Sequence, residues 1–339
     1  MQTSDHRQSL EMINAKISPA ATTRPLKTMI GLIAADTFTR PGFLKAAAFH
    51  IYTIWLFTAS DMKTIVGPKT IFGTMSAISA PVFKLQALPL PSMLGRVPSV
   101  AFWCWINLLP FAIDNQRQIE AVREDALNKP WRPLPSGRLS ATQAMHLMLV
   151  LYPIAIAASF RLGGLNQSIM LIFLGYWYND CGGADKNCIL RNTINGAGFI
   201  CYTSGAMEVA YRSPIRFTMP LVQWFVIIGV VVSTTVHTQD MYDQAGDSAR
   251  HRRTVPLVVG DLKSRWTIAV SVIFWSWFCP WFWGDRYGYI APILLGTAIT
   301  HRTLARTSVK EDKNTFKLWN LWMVALYSLP LLHFIHRTI

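Results

Sequence analysis

Residues 217–256 read FTMPLVQWFVIIGVVVSTTVHTQDMYDQAGDSARHRRTVP, and this stretch decides the class of fold. Its first part, residues 217–239, is an apolar run that contains no Asp, Glu, Lys or Arg. An apolar run longer than about 18 residues is typical of a helix that crosses a lipid bilayer. Its second part, residues 240–256, changes abruptly to acidic and then to basic side chains. The stretch therefore predicts a membrane helix that ends in a charged, water-facing segment.

The composition of the whole chain agrees with this interpretation. Of 339 residues, 51% are hydrophobic, 12% are aromatic and 15% are charged, whereas a typical soluble domain has roughly 25% charged residues. These values exclude a water-soluble globular enzyme and a disordered protein. The apolar stretches are long runs instead of the ~10-residue alternations of a β-barrel. The predicted fold class is all-α, a polytopic bundle of membrane helices.

Nine apolar segments are predicted to be the transmembrane helices. They cover residues 61–80, 99–120, 140–160, 165–179, 191–211, 217–239, 266–283, 287–302 and 316–336. Several contain Pro or Gly, which membrane helices tolerate when neighbouring helices satisfy the freed backbone groups. Residues 1–60 are predicted to be a polar N-terminal region with an amphipathic interfacial helix over residues 42–58 and no signal peptide. The transmembrane domain is then expected over residues 61–339.

The charge of the chain follows the order of these segments. Its net charge is +14, with 32 Lys and Arg against 18 Asp and Glu. Taken alone, that excess is compatible with nucleic-acid binding. However, the basic residues gather in the loops after the second, fourth, sixth and eighth segments, as cytosolic loops of membrane proteins do. We therefore expect these loops on the cytosolic side, a lipid bilayer as the surroundings, and no nucleic-acid partner.

Three carboxylates are regularly spaced in the charged segment after the sixth helix. Asp240, Asp243 and Asp247 stand at i, i+3 and i+7, which on a helix places them along one face. Their mutual repulsion is costly unless a cation bridges them, and hard oxygen ligands suit Mg²⁺. Three arginines follow directly: Arg250, Arg252 and Arg253. Because Arg neutralises phosphate oxygens, a site for Mg²⁺ and a diphosphate would satisfy both signs of charge. The alternative is a solvated loop whose charges only set the topology.

The loop after the second segment, residues 114–138, repeats this arrangement. It reads DNQRQIEAVREDALNKPWRPLPSGR, with acidic or amide side chains followed by basic ones. The polar residues concerned are Glu120, Glu124, Asp125, Asn128, Lys129 and Arg132. Two such loops, one in each half of the chain, are hard to explain as topology signals, and they favour one shared site.

Two stretches, NKPWRPLPSGR at residues 128–138 and DMYDQAGDSARHRRTVP at residues 240–256, resemble the signature regions of the UbiA superfamily of intramembrane prenyltransferases. The nine-segment layout resembles that family over about residues 61–339. The resemblance implies a UbiA-like catalytic domain, in which cap loops above the bundle hold an isoprenyl diphosphate through Mg²⁺. The prenyl chain would lie inside the bundle.

The resemblance also implies particular metal ligands. By the second signature, Asp240, Asp243 and Asp247 ligate Mg²⁺. The first signature departs from the family pattern NDxxDxxxD: Asp125 matches its last Asp, while the earlier acidic positions are replaced, or the register is shifted. We expect this rebuilt site to use Asn115, Glu124 and Asp125. The residues expected to be central to catalysis are Asp240, Asp243 and Asp125.

Other side chains are candidates for holding the substrate. The diphosphate is expected to be bound by a set of cations: Lys69, Lys129, Arg132, Lys186, Arg191, Arg250 and Arg253. For Lys69, in the first membrane segment, the alternative is a side chain that reaches back to the interface. A carbocation needs aromatic faces around it, and the candidates for lining its cavity are Tyr178, Tyr202 and Trp224. Aromatic belts at the membrane surface are the alternative explanation for these rings.

The expected activity follows from a narrower resemblance. Residues 54–73 and 178–187, together with NKPWRP, are similar to a fungal subgroup of the superfamily that includes membrane-bound terpene cyclases of the fumagillin type. This implies an enzyme of the endoplasmic reticulum that ionises farnesyl diphosphate and cyclises it to a sesquiterpene. The main alternative is prenyl transfer to an aromatic acceptor. Cyclisation started by protonation, and a transporter or channel, are further alternatives.

Overall fold

The structure, a computed structural model, describes residues 41–338. Over that range the chain forms helices and connecting turns and contains no β-strand, which confirms the all-α fold class. The predictions for residues 1–40 lie outside the described residues. The chain divides after Ile51, and the features described below belong to the compact unit that begins at Tyr52. The domain boundary at residue 60 stays a prediction.

The α-helices of residues 41–338 are numbered in chain order. They are α1 Pro41–Thr58, α2 Gly67–Ile78, α3 Leu90–Leu94, α4 Val97–Arg117, α5 Ile119–Asn128, α6 Ala141–Leu162, α7 Leu165–Asn179, α8 Cys188–Tyr211, α9 Met219–Thr235, α10 Asp240–Ala249, α11 Val255–Val259, α12 Asp261–Trp283, α13 Ile290–Ala305, α14 Val309–Tyr327 and α15 Leu329–Thr338. A π-helical turn, Met62–Val66, leads into α2.

Each of the nine predicted membrane segments coincides with helical structure. By length and composition, five helical stretches of the described chain are able to cross a membrane: Leu90–Arg117, Ala141–Leu162, Met219–Thr238, Asp261–Trp283 and Val309–Thr338. The others include α2 and α7, which have 12 and 15 residues. A multi-pass membrane protein therefore fits, whereas the number of nine spanning helices stays a prediction.

Local sequence signals explain where several helices begin. Ser140 caps α6 in a capping box: its hydroxyl accepts from the N–H of Gln143 at 3.2 Å, while the Gln143 side chain accepts from the N–H of Ser140 at 2.9 Å. The side chain of Asn187 accepts from the first N–H groups of α8, at 2.8 Å from the N–H of Ile189. These caps fix the ends of helices that border the charged loops.

The helices around the centre of the bundle pack closely because small residues separate their backbones. A Cβ on Gly73 of α2 would lie 2.5 Å from the carbonyl carbon of Ala206 in α8. Gly205 of α8 likewise leaves room for the ring of Trp103 in α4. Small residues at helix crossings are the usual means of close association inside membranes. This packing fixes α2, α4 and α8 around one central space.

Two short helices cover one end of the bundle, where the sequence predicted charged loops. α5 follows α4, α10 follows α9, and the two helices pack against each other. Gly246 of α10 permits the close approach, because a Cβ there would lie 2.9 Å from the Cγ of Glu124. The acidic and basic residues of both halves of the chain thus meet at one place.

Candidate functional site

A cavity of about 400 Å³ opens beneath α5 and α10. Its wall is contributed by the π-helical turn and by α4, α5, α7, α8, α10 and α14. Most of the predicted site residues line it: Asn115, Glu124, Asp125, Lys129, Arg132, Tyr178, Arg191, Tyr202, Asp240, Asp243, Asp247 and Arg250. The two charged segments therefore form one shared site, as the sequence indicated.

The three aspartates of α10 face this cavity together. Asp240 and Asp247 are each 1% exposed, and Asp243 is partly exposed. The spacing i, i+3, i+7 places them on one helix face because α10 is regular over Asp240–Ala249. Three carboxylates are thereby presented at the charged end of the cavity.

Each of these buried acids meets a cation from another part of the chain. Arg191 of α8 donates to Asp240 at 2.9 Å. Lys129 lies 3.4 Å from an oxygen of Asp243, and the amide of Asn128 donates to the other oxygen at 3.3 Å. Such pairing offsets the large cost of burying a charge. The acidic helix α10 is thus held from both sides, by α8 and by the end of α5.

The acids of α5 are paired in the same manner. Arg132 donates to both oxygens of Asp125, at 2.8 and 2.9 Å. Glu124 contacts Arg250 at 3.4 Å and Arg252 at 3.1 Å. Charge-assisted contacts of this kind set the orientation of the carboxylates. Asp125 and Glu124 therefore enter the cavity in fixed positions.

Arg252 contacts three carboxylates of the site, although the sequence analysis selected its neighbours Arg250 and Arg253 for the diphosphate. Its guanidinium contacts Glu124, Asp247 at 3.2 Å and Asp185 at 2.9 Å. Arg253 is exposed and outside the cavity, and its backbone N–H donates to the carbonyl of Asp185. Neighbouring arginines in a turn point in different directions, which the sequence does not reveal.

The surroundings of the carboxylates shift their acidity in different directions. Burial acts to raise the pKa of Glu124, but the positive charges of Arg252 and its neighbours outweigh it and lower the pKa. Burial raises the pKa of Asp247 to about 6, against the opposing charge of Arg191. Burial also raises the pKa of Asp125. The acids of one cavity therefore differ in how readily they ionise.

The donor set fits a hard divalent cation. One oxygen of Asp240 and one oxygen of Asp247, both Oδ2, are buried without a hydrogen-bond partner. Among residues 41–338, no three acidic, His or Cys side chains are grouped tightly enough to hold a metal by themselves. Mg²⁺ typically keeps several waters and binds through one or two carboxylates together with substrate phosphates. Two free carboxylate oxygens beside a cavity wall that contains several Arg and Lys side chains meet that requirement.

Four predicted residues lie away from the cavity wall. Lys69 is fully buried in α2, where its ammonium donates to the hydroxyl of Tyr327 and stands 3.5 Å above the ring of Phe199. It therefore has no contact with the charged end. Trp224 is also fully buried, and its ring stacks on Phe282 with centroids 6.1 Å apart.

The remaining two of the four are surface residues. Lys186 is exposed, and its ammonium donates to the carbonyl of Cys181 at 3.4 Å. Arg253, described above, is the other. The predicted role of these four side chains at the diphosphate or in the carbocation cavity finds no support in their placement.

Three lysines of the cavity wall were missed by the sequence analysis. They are Lys63 of the π-helical turn and Lys313 and Lys317 of α14. None forms an ion pair with any residue between 41 and 338. The ammonium of Lys63 stands 5.9 Å above the ring of Phe316, and that of Lys313 stands 5.8 Å above the ring of Tyr242. Their basic loop setting was visible in the sequence, but their convergence required the fold.

Deeper in the bundle the cavity becomes apolar and aromatic. Its lining there comprises Ile65, Leu108, Phe111, Leu171, Leu174, Phe199, Phe316, Tyr178 and Tyr202. Tyr178 also faces the guanidinium of Arg191, 5.7 Å from its ring. A cavity with one charged end and one aromatic end suits a ligand with an anionic head and a hydrocarbon tail.

A helical membrane protein with such a cavity is typical of one class of protein, the membrane enzymes that act on amphiphilic substrates. This chain belongs to the UbiA prenyltransferase family, whose sequence profile matches residues 100–324. It is a membrane enzyme that uses prenyl diphosphates.

Terpene synthases and a prenyl transferase are both among the proteins similar to this chain. Fumagillin beta-trans-bergamotene synthase of Aspergillus fumigatus is 27% identical over 66% of this chain and 72% of its own length. Somaliensene A/B synthase of Streptomyces somaliensis is 26% identical over 84% of this chain and 94% of its own. A polyprenyl transferase of Hericium erinaceus is 25% identical over 80% and 91%. The resemblance to a cyclase-containing subgroup is thereby confirmed.

The fold agrees with solved structures of the family. A UbiA homolog from Archaeoglobus fulgidus, solved bound to DMAPP and Mg²⁺, superposes with a TM-score of 0.52. The match covers 79% of this chain and 98% of the homolog at 11% identity. At that identity the likeness establishes the UbiA fold alone.

Proposed function

We propose that this protein is a Mg²⁺-dependent membrane terpene cyclase. Its substrate in this proposal is an isoprenyl diphosphate, farnesyl diphosphate, which it ionises and closes to a sesquiterpene of secondary metabolism. The observation that carries the proposal is the single cavity that joins paired acids and bases to an aromatic, apolar interior. The likeness to a bergamotene synthase supports the same choice.

The charged end would hold the diphosphate and a metal ion. Asp240 and Asp247 offer the buried oxygens without partners, and Asp243 lies on the same helix face. When bound there, Mg²⁺ would neutralise charge that develops on the leaving diphosphate. The homolog solved with DMAPP and Mg²⁺ supports this use of a divalent ion. Asn115, Glu124 and Asp125 complete the proposed ligand set at the other side of the cavity.

In this proposal some cations of the cavity bind the diphosphate and others hold the carboxylates in position. Arg191 keeps Nε and Nη1 buried without partners, so it has donors to spare after pairing with Asp240. Lys63, Lys313 and Lys317 carry no acidic partner and face the same space. Donors aimed at developing negative charge in a water-poor site are the main source of electrostatic catalysis. We therefore assign the leaving group to these four side chains, with Lys129, Arg132 and Arg250 holding the acids in place.

The reaction then has three bond changes. The allylic C–O bond breaks heterolytically, and the diphosphate keeps the bonding electron pair. An internal alkene of the same chain attacks the cation to form a C–C bond, and loss of a proton gives the cyclic hydrocarbon. Tyr178, Tyr202 and Phe199 present ring faces along this path, which stabilise positive charge and exclude water.

The test is an assay of membranes that contain the protein, with farnesyl diphosphate and Mg²⁺ and no acceptor. We expect a cyclic C15 hydrocarbon in the hexane extract that disappears with EDTA and in the variants Asp240→Asn and Asp243→Ala. The matched control is Glu120→Gln, because Glu120 is an exposed acid of α5 outside the cavity; its activity should equal that of the native protein.

Two other results would replace the proposal. No hydrocarbon, together with prenylation of an added aromatic acceptor, would establish a prenyltransferase like the polyprenyl transferase relative. A hydrocarbon that forms at the full rate in Asp240→Asn would mean that the reaction starts by protonation of an alkene. The proposed location is the endoplasmic reticulum membrane with α5 and α10 on the cytosolic side.

A further inference from the structure

A second cavity, of about 830 Å³, lies at the other end of the bundle. It is formed where α6 ends, where α7 begins and where α8 ends, beside the segment that leads into α9. Its polar wall and rim include Arg96, Arg161, Gln167, Glu208, Arg212 and Phe217. None of these side chains lines the first cavity.

The position of this cavity relative to a bilayer follows from two candidate spans. Ala141–Leu162 ends at the second cavity, and Met219–Thr238 begins beside it. Asp240 of the first cavity lies two residues beyond the opposite end of Met219–Thr238. The two cavities therefore lie at opposite ends of the same membrane-crossing helices. The second one begins at the face away from the diphosphate site and extends inward along α8 as far as Ile200.

Positive charge in this cavity is available to a ligand. Arg96 is fixed by backbone carbonyls, donating to Val209 at 2.6 Å and to Leu162 at 3.2 Å. Arg161 and Arg212 are exposed, and neither side chain makes a hydrogen bond or an ion pair with a residue in the described range 41–338. Unpaired guanidinium groups at a membrane face bind lipid phosphate groups.

The same cavity also contains acceptors for a positive group. Glu208 accepts from the N–H of Gly164 at 2.9 Å and from the side-chain amide of Gln167 at 3.2 Å. The oxygen of the same amide, Oε1 of Gln167, has no hydrogen-bond partner in the described part of the chain, and the residue is buried, with 7% of its surface exposed. A buried acceptor beside a carboxylate lacks a donor, which an ammonium group would supply.

We propose that the second cavity binds the headgroup of a zwitterionic aminophospholipid. Arg161 and Arg212 would hold its phosphate, and Glu208 with Gln167 would receive its primary ammonium. The acyl chains would follow the apolar residues at the rim, of which Phe160 is 72% exposed and Phe217 is 60% exposed. A free phosphate ion would contact the two arginines in the same way, but it has no ammonium group to donate to Glu208 and Gln167.

Native mass spectrometry of the full-length protein in detergent tests this proposal. The probes are dioleoyl phosphatidylethanolamine, the matching phosphatidylcholine and inorganic phosphate, each added separately. We expect one phosphatidylethanolamine adduct of high occupancy, little phosphatidylcholine, and no retained phosphate. The doubly substituted Arg161→Gln/Arg212→Gln protein should bind phosphatidylethanolamine about tenfold more weakly or worse, since it loses charge-assisted contacts.

Two further variants complete the test. Glu208→Gln should remove the preference for phosphatidylethanolamine over phosphatidylcholine. Arg216→Gln is the matched control, because Arg216 is an exposed arginine of the same segment outside the cavity, and its lipid adducts should be unchanged. Equal binding of both lipids by the native protein would overturn the proposal, as would unchanged binding by the double variant. Retention of inorganic phosphate alone would identify a free-anion site. An unchanged melting temperature of each variant shows that a loss of binding is not a loss of fold.

Discussion

Cations around the first cavity fall into two groups according to what they contact. Arg132 and Arg252 are engaged by carboxylates, those of Asp125 and Glu124, whereas Arg191 keeps two nitrogens without partners among the described residues. Lys63 and Lys313 form no ion pair in the described chain; Asp61 and Asp243 attract Lys63 from a longer distance, while the ammonium groups of Lys63 and Lys317 repel each other. A cluster of like charges without a counter-ion is costly unless an anion enters. These three lysines are thus the cations of the cavity wall without an ion-pair partner within residues 41–338, and the sequence analysis had selected other cations, both lysines and arginines, for the diphosphate.

Substitution of a cavity lysine should weaken binding of the diphosphate. We expect Lys313→Gln to raise KM for the prenyl diphosphate about tenfold, because a charge-assisted contact contributes roughly 1.5–3 kcal/mol. Steady-state kinetics in detergent or nanodiscs measures this. Lys310→Gln, at an exposed position of the same helix outside the cavity, is the control and should leave KM unchanged. Equal KM values for both variants would contradict the assignment.

Lys69 gives the converse prediction, since its ammonium is packed among rings instead of facing the substrate. Lys69→Met should change KM for the diphosphate less than twofold. It should lower the melting temperature, because the hydroxyl of Tyr327 loses a buried partner at a cost of about 1–3 kcal/mol. Thermal unfolding and kinetics of the same preparation check both parts. A large increase in KM without a loss of stability would contradict this prediction and support a role of Lys69 in binding the diphosphate.

Single helices show how far prediction from sequence extends. The nine apolar segments coincide with helices because, in a membrane, a long apolar segment satisfies its backbone hydrogen bonds by forming a helix. The spacing of Asp240, Asp243 and Asp247 correctly predicts one helix face, since helix geometry is local. By contrast, the direction of Arg252 against Arg253, and the burial of Trp224, depend on which helices become neighbours. That information is not contained in local spacing.

The contact between α5 and α10 depends on Gly246. Gly→Ala inside a helix normally stabilises it by about 1 kcal/mol. Here we expect Gly246→Ala to reduce activity by more than tenfold, because its Cβ would lie 2.9 Å from the Cγ of Glu124 and force the helices apart. The control is Ala245→Gly, an exposed neighbour that loses helix propensity but no contact space. If Gly246→Ala were the more active of the two variants, the close approach would not matter for function.

A second contact between elements is the buried ion pair of α12 and α14. Arg265 donates to both oxygens of Asp312, at 2.8 Å each, and to the carbonyl of Thr303 in α13 at 3.0 Å. Arg265→Met would leave Asp312 buried without its cation, which costs about 3–5 kcal/mol. We expect a clear drop in melting temperature for this variant. Lys263→Met, an exposed cation of the same helix, should melt like the native protein.

The compact unit that begins at Tyr52 has a charged cavity at one end of its helices and the second cavity towards the other, and this polarity predicts its orientation in the membrane. With α5 and α10 in the cytosol, Cys181 beside the first cavity should react with a membrane-impermeant maleimide added to intact microsomes, because it is exposed. The comparison is a protein with Cys181→Ser and Ser213→Cys, which carries its thiol at the opposite end. Both proteins would also carry Cys188→Ser and Cys201→Ser, because these two thiols are partly exposed as well. The second should be labelled only after the microsomes are opened, and the reverse pattern would invert the proposed topology.

One helix separates the two cavities. Phe199 and Tyr202 of α8 line the first, whereas Ile200, Cys201 and Ser204 line the second. Successive residues of a helix point about 100° apart, so a single wall serves two compartments. A tilt or rotation of α8 that widened one compartment would narrow the other by the same movement. If the proposed cyclisation is the reaction, the bilayer leaflet on the far side would then affect the shape in which the prenyl chain folds, and the proportion of ring products would depend on the membrane as well as on the enzyme.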